Sequence, residues 1–346
     1  MQSVTADAGI GSFRSLAREV RQSGLLDRRT AYYVTKINLT VAAYAAGWAT
    51  LVLVRNSWVM VAVAAFMGFV YAQLGFLGHD AGHQQVFRSQ RGNRLLGLAV
   101  GNALIGVSFG WWVPKHNAHH AFPNQIGRDP DIGDGLVIVP TEGSSGPGRS
   151  LALFLARRQA LVFFPLMLLR SSGLYLYSTL QLLRRHDRSA AIEATSVLLS
   201  AALYFTTVVW VLSPWKALVF LAVHQAVFSI LLGCSFAPNH KGMALLLGDE
   251  AMGFARRQVT TSRNVTGGPL LTFVMGGLNY QIEHHLFPTM PRPNLVRAQP
   301  LVRSFCASCG LRYSEDTPLG SFRRIIRHLS DTAPAVPAAS PGFVTR

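Results

Sequence analysis

The chemistry of this sequence is concentrated in histidine. Seven of its eleven His fall in three tight clusters: His79 and His83 in HDAGH, His116, His119 and His120 in HNAHH, and His284 and His285 in QIEHH. Each spacing is i, i+3 or i+4, so on a helix the rings of one cluster share a face. A lone His is usually a satisfied structural residue, but three such clusters in one chain form a ligand set. Imidazole suits Zn, Cu, Fe and Ni. One zinc ion needs three or four protein ligands, so seven imidazoles imply two metals. Asp80 and Glu283 stand between cluster residues, off the ligand face, where a carboxylate can accept a ring N–H hydrogen bond and orient the ligand.

The elements that must position these rings are membrane helices. The chain has 346 residues, of which 50% are apolar and only 14% charged, against ~25% charged in ordinary soluble domains. Four segments have the ~20 mostly apolar residues that a span requires: about 37–54, 58–77, 190–212 and 215–236. Arg55, Asn56 and Ser57 join the first two, and Ser213 and Pro214 join the last two, giving two tight hairpins. The stretches 95–113 and 160–183 are also apolar and read as helices lying in the interface. The expected fold is all-α and integral to the membrane: four spans in two hairpins, with a cytoplasmic helical cap that holds the metals. By domain, 1–36 is a cytoplasmic N-terminal segment, 37–330 the membrane unit and 331–346 a Pro- and Ala-rich tail expected to be disordered.

Charge orients these spans. The formal net charge is +16; in a chain this apolar it signals basic loops against anionic headgroups, not nucleic acid. Of 32 Lys and Arg, only Arg55 and Lys216 fall at the hairpin turns. Both termini and the region between the hairpins are therefore expected on the cytoplasmic side, in a multi-pass protein expected in a bacterial inner membrane. That orientation brings all three histidine clusters to one membrane face. Two redox-capable ions in neutral nitrogen ligands at a membrane surface point to O₂ activation on a lipid, with iron the expected metal. Three cysteines exclude a disulfide framework, and Cys306 and Cys309 read as two reduced thiols.

With its three histidine boxes in this order and its paired hairpins, the chain resembles the integral-membrane fatty acid desaturases over roughly residues 35–300. GWWVPKHNAHH, PNQIGRDPDI and NYQIEHHLFPTMPR resemble the front-end branch, whose third box opens on Gln, as Gln281 does here. The resemblance implies an O₂-dependent fatty acyl desaturase with two iron ions, acting on an acyl lipid or acyl-CoA. That branch often carries a fused haem domain marked by HPGG, which this sequence lacks. An external ferredoxin- or cytochrome-type electron donor with its reductase is therefore expected.

His240, in SFAPNHKG just past the fourth span, lies at the mouth that the three boxes share and is expected to be an eighth ligand. The resemblance agrees, because desaturases place an extra His with an Asn close by after the last span, and Asn239 is adjacent. Gln281 is at best a weak oxygen ligand. For Asp129 and Asp131 the resemblance implies a supporting or capping role, with a simple turn as the alternative. His224, within the fourth span, is read as a core residue or tunnel wall, and His186 and His328 as surface groups. Two rivals remain at this point. A di-iron hydroxylase or ketolase acting on a lipid or carotenoid would use a similar ligand set, and a metal transporter would need polar groups inside its spans.

Overall fold

The computed structural model describes residues 3–133, 158–247 and 252–331, with side chains from Ser12 onward. The expected tail at 331–346 lies outside the described residues beyond Asp331. In chain order the helices are α1 (Ser3–Gln22), α2 (Thr30–Val54), α3 (Met60–Gly82), α4 (Gln90–Leu98), a π-helical stretch (Ala99–Ile105), α5 (Phe109–Ala121) and α6 (Pro130–Gly133). There follow α7 (Gln159–Met167), α8 (Arg170–Leu183), α9 (Arg188–Val211), α10 (Pro214–His240) and α11 (Phe254–Thr260). The last four are α12 (Pro269–Val274), α13 (Gln281–Leu286), α14 (Arg292–Ser308) and α15 (Pro318–Asp331). Two short strands, β1 (Asn264–Val265) and β2 (Glu315–Asp316), pair in parallel.

Four helices are long and apolar enough to cross a membrane: α2, α3, α9 and α10. They form the two hairpins, and this is a membrane protein. The two turns meet: Asn56 Oδ1 accepts from the backbone N and the hydroxyl of Ser213, and Lys216 Nζ donates to the Asn56 carbonyl. At the centre α3 packs along α10. A Cβ at Gly68 would sit 2.7 Å from the His224 carbonyl, so glycine is required for this approach. The shared core runs through Met67, Tyr71, Leu74, Phe220 and Phe228. Both helices outrun the apolar stretches that define them in sequence. α3 continues to Gly82 and α10 to His240, so each carries ligand candidates on a rigid shaft.

The two further apolar stretches are not single interfacial helices. The pair comprising Gln90–Ile105 and α5 bends by 113°, and the α7–α8 pair bends by 73°. At the first bend the π-helical stretch ends on Gly106 at φ +88°, a left-handed conformation that suits Gly. The second bend follows Pro165, which lies inside α7; proline removes a helical hydrogen bond and clashes with the preceding turn. A buried carboxylate holds the first bend together. Glu193 of α9 accepts from Ser108 Oγ at 2.6 Å, from Gly110 N at 2.9 Å and from Asn102 Nδ2 at 3.2 Å. It thereby satisfies the Gly110 N–H at the start of α5, while Asn102 Oδ1 and Ser108 Oγ accept from the Phe109 and Trp111 N–H groups. The N-terminal segment also packs: Leu16, Val20 and Leu25 are buried with Ile282, Leu286, Val302 and Phe305 in a second apolar core, beneath α13 and its histidines.

Candidate metal centre

Four elements deliver the rings. His79 rides the last turn of α3 and His83 caps it; α5 carries His116, His119 and His120; α10 ends on His240; α13 carries His284 and His285. All eight are at most 9% exposed. They do not group by sequence box. One nest joins His79, His83, His116, His120 and His284, and a second joins His119, His240 and His285. In each nest the ligand atoms lie within 4.8 Å of one another. Helix geometry explains the division. With 3.6 residues per turn, consecutive side chains diverge by about 100°. The doublets His119–His120 and His284–His285 therefore each send one ring to either nest, whereas His116 and His120, four apart, share one. The rings of His120 and His285 stack at 4.2 Å between centroids and join the two nests.

Within the nests nitrogen faces nitrogen. His116 Nε2 lies 2.9 Å from His83 Nε2 and 3.2 Å from His120 Nε2, and His119 Nε2 lies 3.4 Å from His240 Nε2. Nε2 of His79, His284 and His285 has no hydrogen-bond partner, although buried polar atoms are normally paired. Converging, unpaired lone pairs fit a shared cation, since metal–imidazole bonds of about 2.0–2.1 Å place neighbouring ligand nitrogens roughly 3 Å apart. Burial, reinforced by the neighbouring rings, holds His83, His116, His120, His284 and His285 well below the ordinary histidine pKa. Neutral imidazole is the form that ligates.

Behind the rings stand their orienting groups. Both carboxylate oxygens of Asp129 lie 3.0 Å from His119 Nδ1, and the Asn124 backbone N–H also binds Asp129. Asp131 Oδ2 lies 3.7 Å from the same Nδ1, and Asp131 pairs with Lys115. Burial opposes ionisation of Asp131, but the charges of His119, Lys115 and Arg170 outweigh it and hold its carboxyl below the usual range. His240 Nδ1–H donates to the Thr261 carbonyl at 2.9 Å, and His285 Nδ1–H to Gln258 Oε1 at 2.9 Å. Asp80 lies 3.4 Å from His79 Nδ1 and pairs at 2.7 Å with the buried Arg292.

Two expectations change. Glu283 does not accept from a histidine ring. Its carboxylate accepts from Asn264 Nδ2 at 2.7 Å and Tyr313 OH at 2.6 Å, because the helical turn that points His284 and His285 at the metals points Glu283 away from them. Gln281 turns its amide nitrogen to His240 Nε2 at 2.9 Å, while its oxygen accepts from Asn239 Nδ2; in this arrangement it presents no oxygen ligand. Asn239 Nδ2 also donates to the Ser235 and Leu278 carbonyls, so it holds Gln281 in place. His224 lies apart from both nests, bonded to Tyr204 OH at 2.9 Å with its ring 4.4 Å from that of Tyr71. His186 is exposed and His328 is half-buried. Gln258, Thr261 and Arg292 are supports that sequence reasoning missed. Thr261 acts through its backbone, and nothing in the spacing of Gln258 or Arg292 ties them to a ring.

A cavity reaches the rings. His79, His116, His119 and His240 line it together with Trp112, whose indole stacks on His116 at 4.5 Å. Apolar residues line the same cavity, among them Ile105, Leu174 and Phe228.

A bent-helix membrane bundle whose histidine boxes converge on one face defines a class, and comparison with known proteins names it. The family model for fatty acid desaturases matches residues 56–317, and the chain belongs to that family. It is 32% identical over 333 residues to an acyl-lipid (9-3)-desaturase of Physcomitrium patens, covering 93% of this chain and 63% of the relative. It is 33% identical to a delta(5) fatty acid desaturase of Caenorhabditis elegans, covering 88% and 70%. With a delta(8)-fatty-acid desaturase of Arabidopsis thaliana the identity is 30%, covering 87% and 70%. The chain thus spans about two thirds of the length of these relatives.

Proposed function

We propose that the protein is an O₂-dependent desaturase that introduces a cis double bond into the acyl chain of a lipid or acyl-CoA. The observation that carries this reading is the convergence of eight buried imidazoles into two nests, four of whose rings line a cavity together with apolar residues such as Ile105, Leu174 and Phe228. His79, His83, His116, His120 and His284 would hold one iron, and His119, His240 and His285 the other. Iron bound there would supply the oxidising power, with O₂ and two external electrons, that removes hydrogens from two adjacent methylenes. Acid–base groups alone cannot do this, because an unactivated methylene is too weak an acid.

The protein's own contribution is position. Asp129, Thr261 and Gln258 fix the rings of His119, His240 and His285. Trp112 stacks on His116 and walls the cavity beside it. Phe109, Phe228 and Leu232 line the acyl path and exclude water. Residues 37–330 act as the membrane unit, and the electrons come from a separate ferredoxin- or cytochrome-type donor with its reductase. The termini and the histidine face share the cytoplasmic side, as the distribution of Lys and Arg favours. The relatives named above are eukaryotic, so the expected bacterial inner membrane finds no support in them.

The test is expression in a host that lacks the activity, with mass spectrometry to locate double bonds in total fatty acids. A new alkene that disappears with His119→Ala is the expected result; an alcohol or ketone in its place would sink the desaturase reading. Tags at either terminus should share one side of the membrane, and a tag between Arg55 and Ser57 should lie on the other.

A further inference from the structure

One apolar segment beyond the last span leaves large side chains uncovered. Residues 267–277 read GGPLLTFVMGG, with α12 at their centre. Leu270 is 75% exposed and Phe273 48%. The segment hangs from the cap at both ends. On the way in, Thr266 N–H donates to the Asp316 carbonyl at 2.8 Å, beside the β1–β2 pair. On the way out, Gly276 and Gly277 have φ of +62° and +80°, a region that suits Gly. A Cβ on Gly276 would sit 2.3 Å from the Phe76 ring, so the return leg lies flush against α3.

Its neighbours fix its depth. The Phe273 ring packs on that of Phe69 of α3 at 5.9 Å between centroids, and the Phe273 carbonyl accepts from Gln73 Nε2 at 3.4 Å. The apolar stretch of α3 runs to Leu77. At 1.5 Å per residue, Gln73 lies about 6 Å and Phe69 about 12 Å inside the end of that stretch nearest the histidines. α12 therefore sits at the depth of acyl chains. Lys36 of α2 completes the group: its Nζ lies 4.2 Å from the centre of the Phe273 ring and donates to Gln73 Oε1 at 2.6 Å. Leu39, one turn from Lys36, and Phe66, one turn from Phe69, are also exposed, so the uncovered face of α12 continues that of the spans beside it. Backbone at this depth must satisfy its polar groups without water. Much of that requirement is met locally. The N–H groups of Thr272, Met275 and Gly277 donate to the carbonyls of Gly268, Leu271 and Thr272, Gln73 serves the Phe273 carbonyl, and Pro269 has no N–H to satisfy.

We propose that residues 267–277 form a re-entrant loop that inserts Leu270 and Phe273 among the phospholipid acyl chains of the leaflet on the histidine side. The loop thereby moors α13, which begins four residues after Gly277, to the membrane. A segment this short cannot cross a bilayer, so it enters and leaves by one face. Acyl chains are its partner because its exposed face is continuous with the exposed faces of α2 and α3. This placement does not depend on which reaction the nests perform.

The test is photolabelling of the full-length protein in phosphatidylcholine vesicles, with adducts located by mass spectrometry. One lipid probe carries a diazirine midway along an acyl chain, a second carries it on the headgroup, and a third probe is a water-soluble diazirine. The acyl-chain probe should label residues 269–274 as readily as Leu39 and Phe66. It should label them about tenfold more than either other probe does, a ratio that burial of one Leu side chain sustains. The soluble probe should mark Arg297, which is exposed on α14. L270N/F273N should lower the acyl-chain adducts on 269–274 by about tenfold or more. Adducts on Leu39 and Phe66 should keep their wild-type yield in that variant, as an intact bundle requires. Labelling of 269–274 mainly from the headgroup would lay α12 on the membrane surface and overturn the insertion. Labelling mainly from water would place it in solvent, and labelling by none of the probes would mean that protein, such as a second copy, covers it; either overturns the proposal. Unchanged adducts in L270N/F273N would show that protein packing alone sets the depth, and would overturn the mooring.

Discussion

The two nests solve the same problem by different means. In the three-histidine nest every ring is tied from behind: His119 by Asp129, His240 by the Thr261 carbonyl and His285 by Gln258. In the five-histidine nest the outer nitrogens are poorly held. His79 meets Asp80 at 3.4 Å, while Nδ1 of His120 and of His284 has no hydrogen-bond partner. Where ligands are few, orientation must be imposed by hydrogen bonds, because each misplaced ring removes a large share of the coordination. Where five rings crowd together, packing against one another and against Trp112 holds them. Loss of one ring therefore means different things at the two sites, and four measurements probe the difference.

The largest effect is expected from removing a ring. His240→Ala leaves two histidines in its nest, and metal analysis of the purified protein should find that iron absent, with desaturation abolished. His79→Ala leaves four of five and should retain part of its iron while still losing activity. Equal iron loss in the two variants would break the comparison.

Next comes Asp129→Asn, which keeps the shape but weakens the hold on His119. Loss of such an orienting partner typically costs about 10- to 100-fold in metal affinity or activity. A chelator titration should show the loss confined to one of the two irons. Gln258→Leu should act on the same iron through His285, near the lower end of that range. Retention of both irons at wild-type affinity would show that the hydrogen bonds to the rings are incidental.

A smaller effect is expected from pH in the metal-free protein. Burial holds the folded-state pKa of His83, His116, His120, His284 and His285 below the unfolded value. The unfolded chain then binds more protons as pH falls through about 6.5, so stability falls with it. Thermal unfolding in detergent should show Tm dropping between pH 7 and 5, and iron should suppress the drop. A Tm independent of pH would mean the rings are already solvated. The least effect belongs to His186→Ala, an exposed ring, which should leave iron and activity near wild type.

Much of this was legible in residue order. The spacings in HDAGH and HNAHH marked candidate ligands that the fold brings together, because helical periodicity alone puts such residues on one face. The apolar lengths of α2, α3, α9 and α10 marked spans because a bilayer demands that length. His240 could be placed by its depth at the end of a span. The bends could not be read. The stretch 95–113 has the composition of one helix, and it breaks because Gly106 and the distant Glu193 act together. Gln258 and Arg292 could not be found either, since no periodicity relates them to a ring they meet across the fold.

By itself, then, the sequence singled out which histidines are candidate ligands and which helices are long and apolar enough to cross a membrane, because those properties follow from local helix geometry and from the thickness of a bilayer. Only the tertiary structure decided which ring belongs to which nest. His119 and His120 are neighbours in the chain and part company in space, while His79, His120 and His284 come together from three helices. That sorting depends on the directions in which α3, α5, α10 and α13 arrive. Those directions are set by close approaches such as Gly68 against α10 and by the bend that Glu193 holds, which are contacts between residues far apart in sequence.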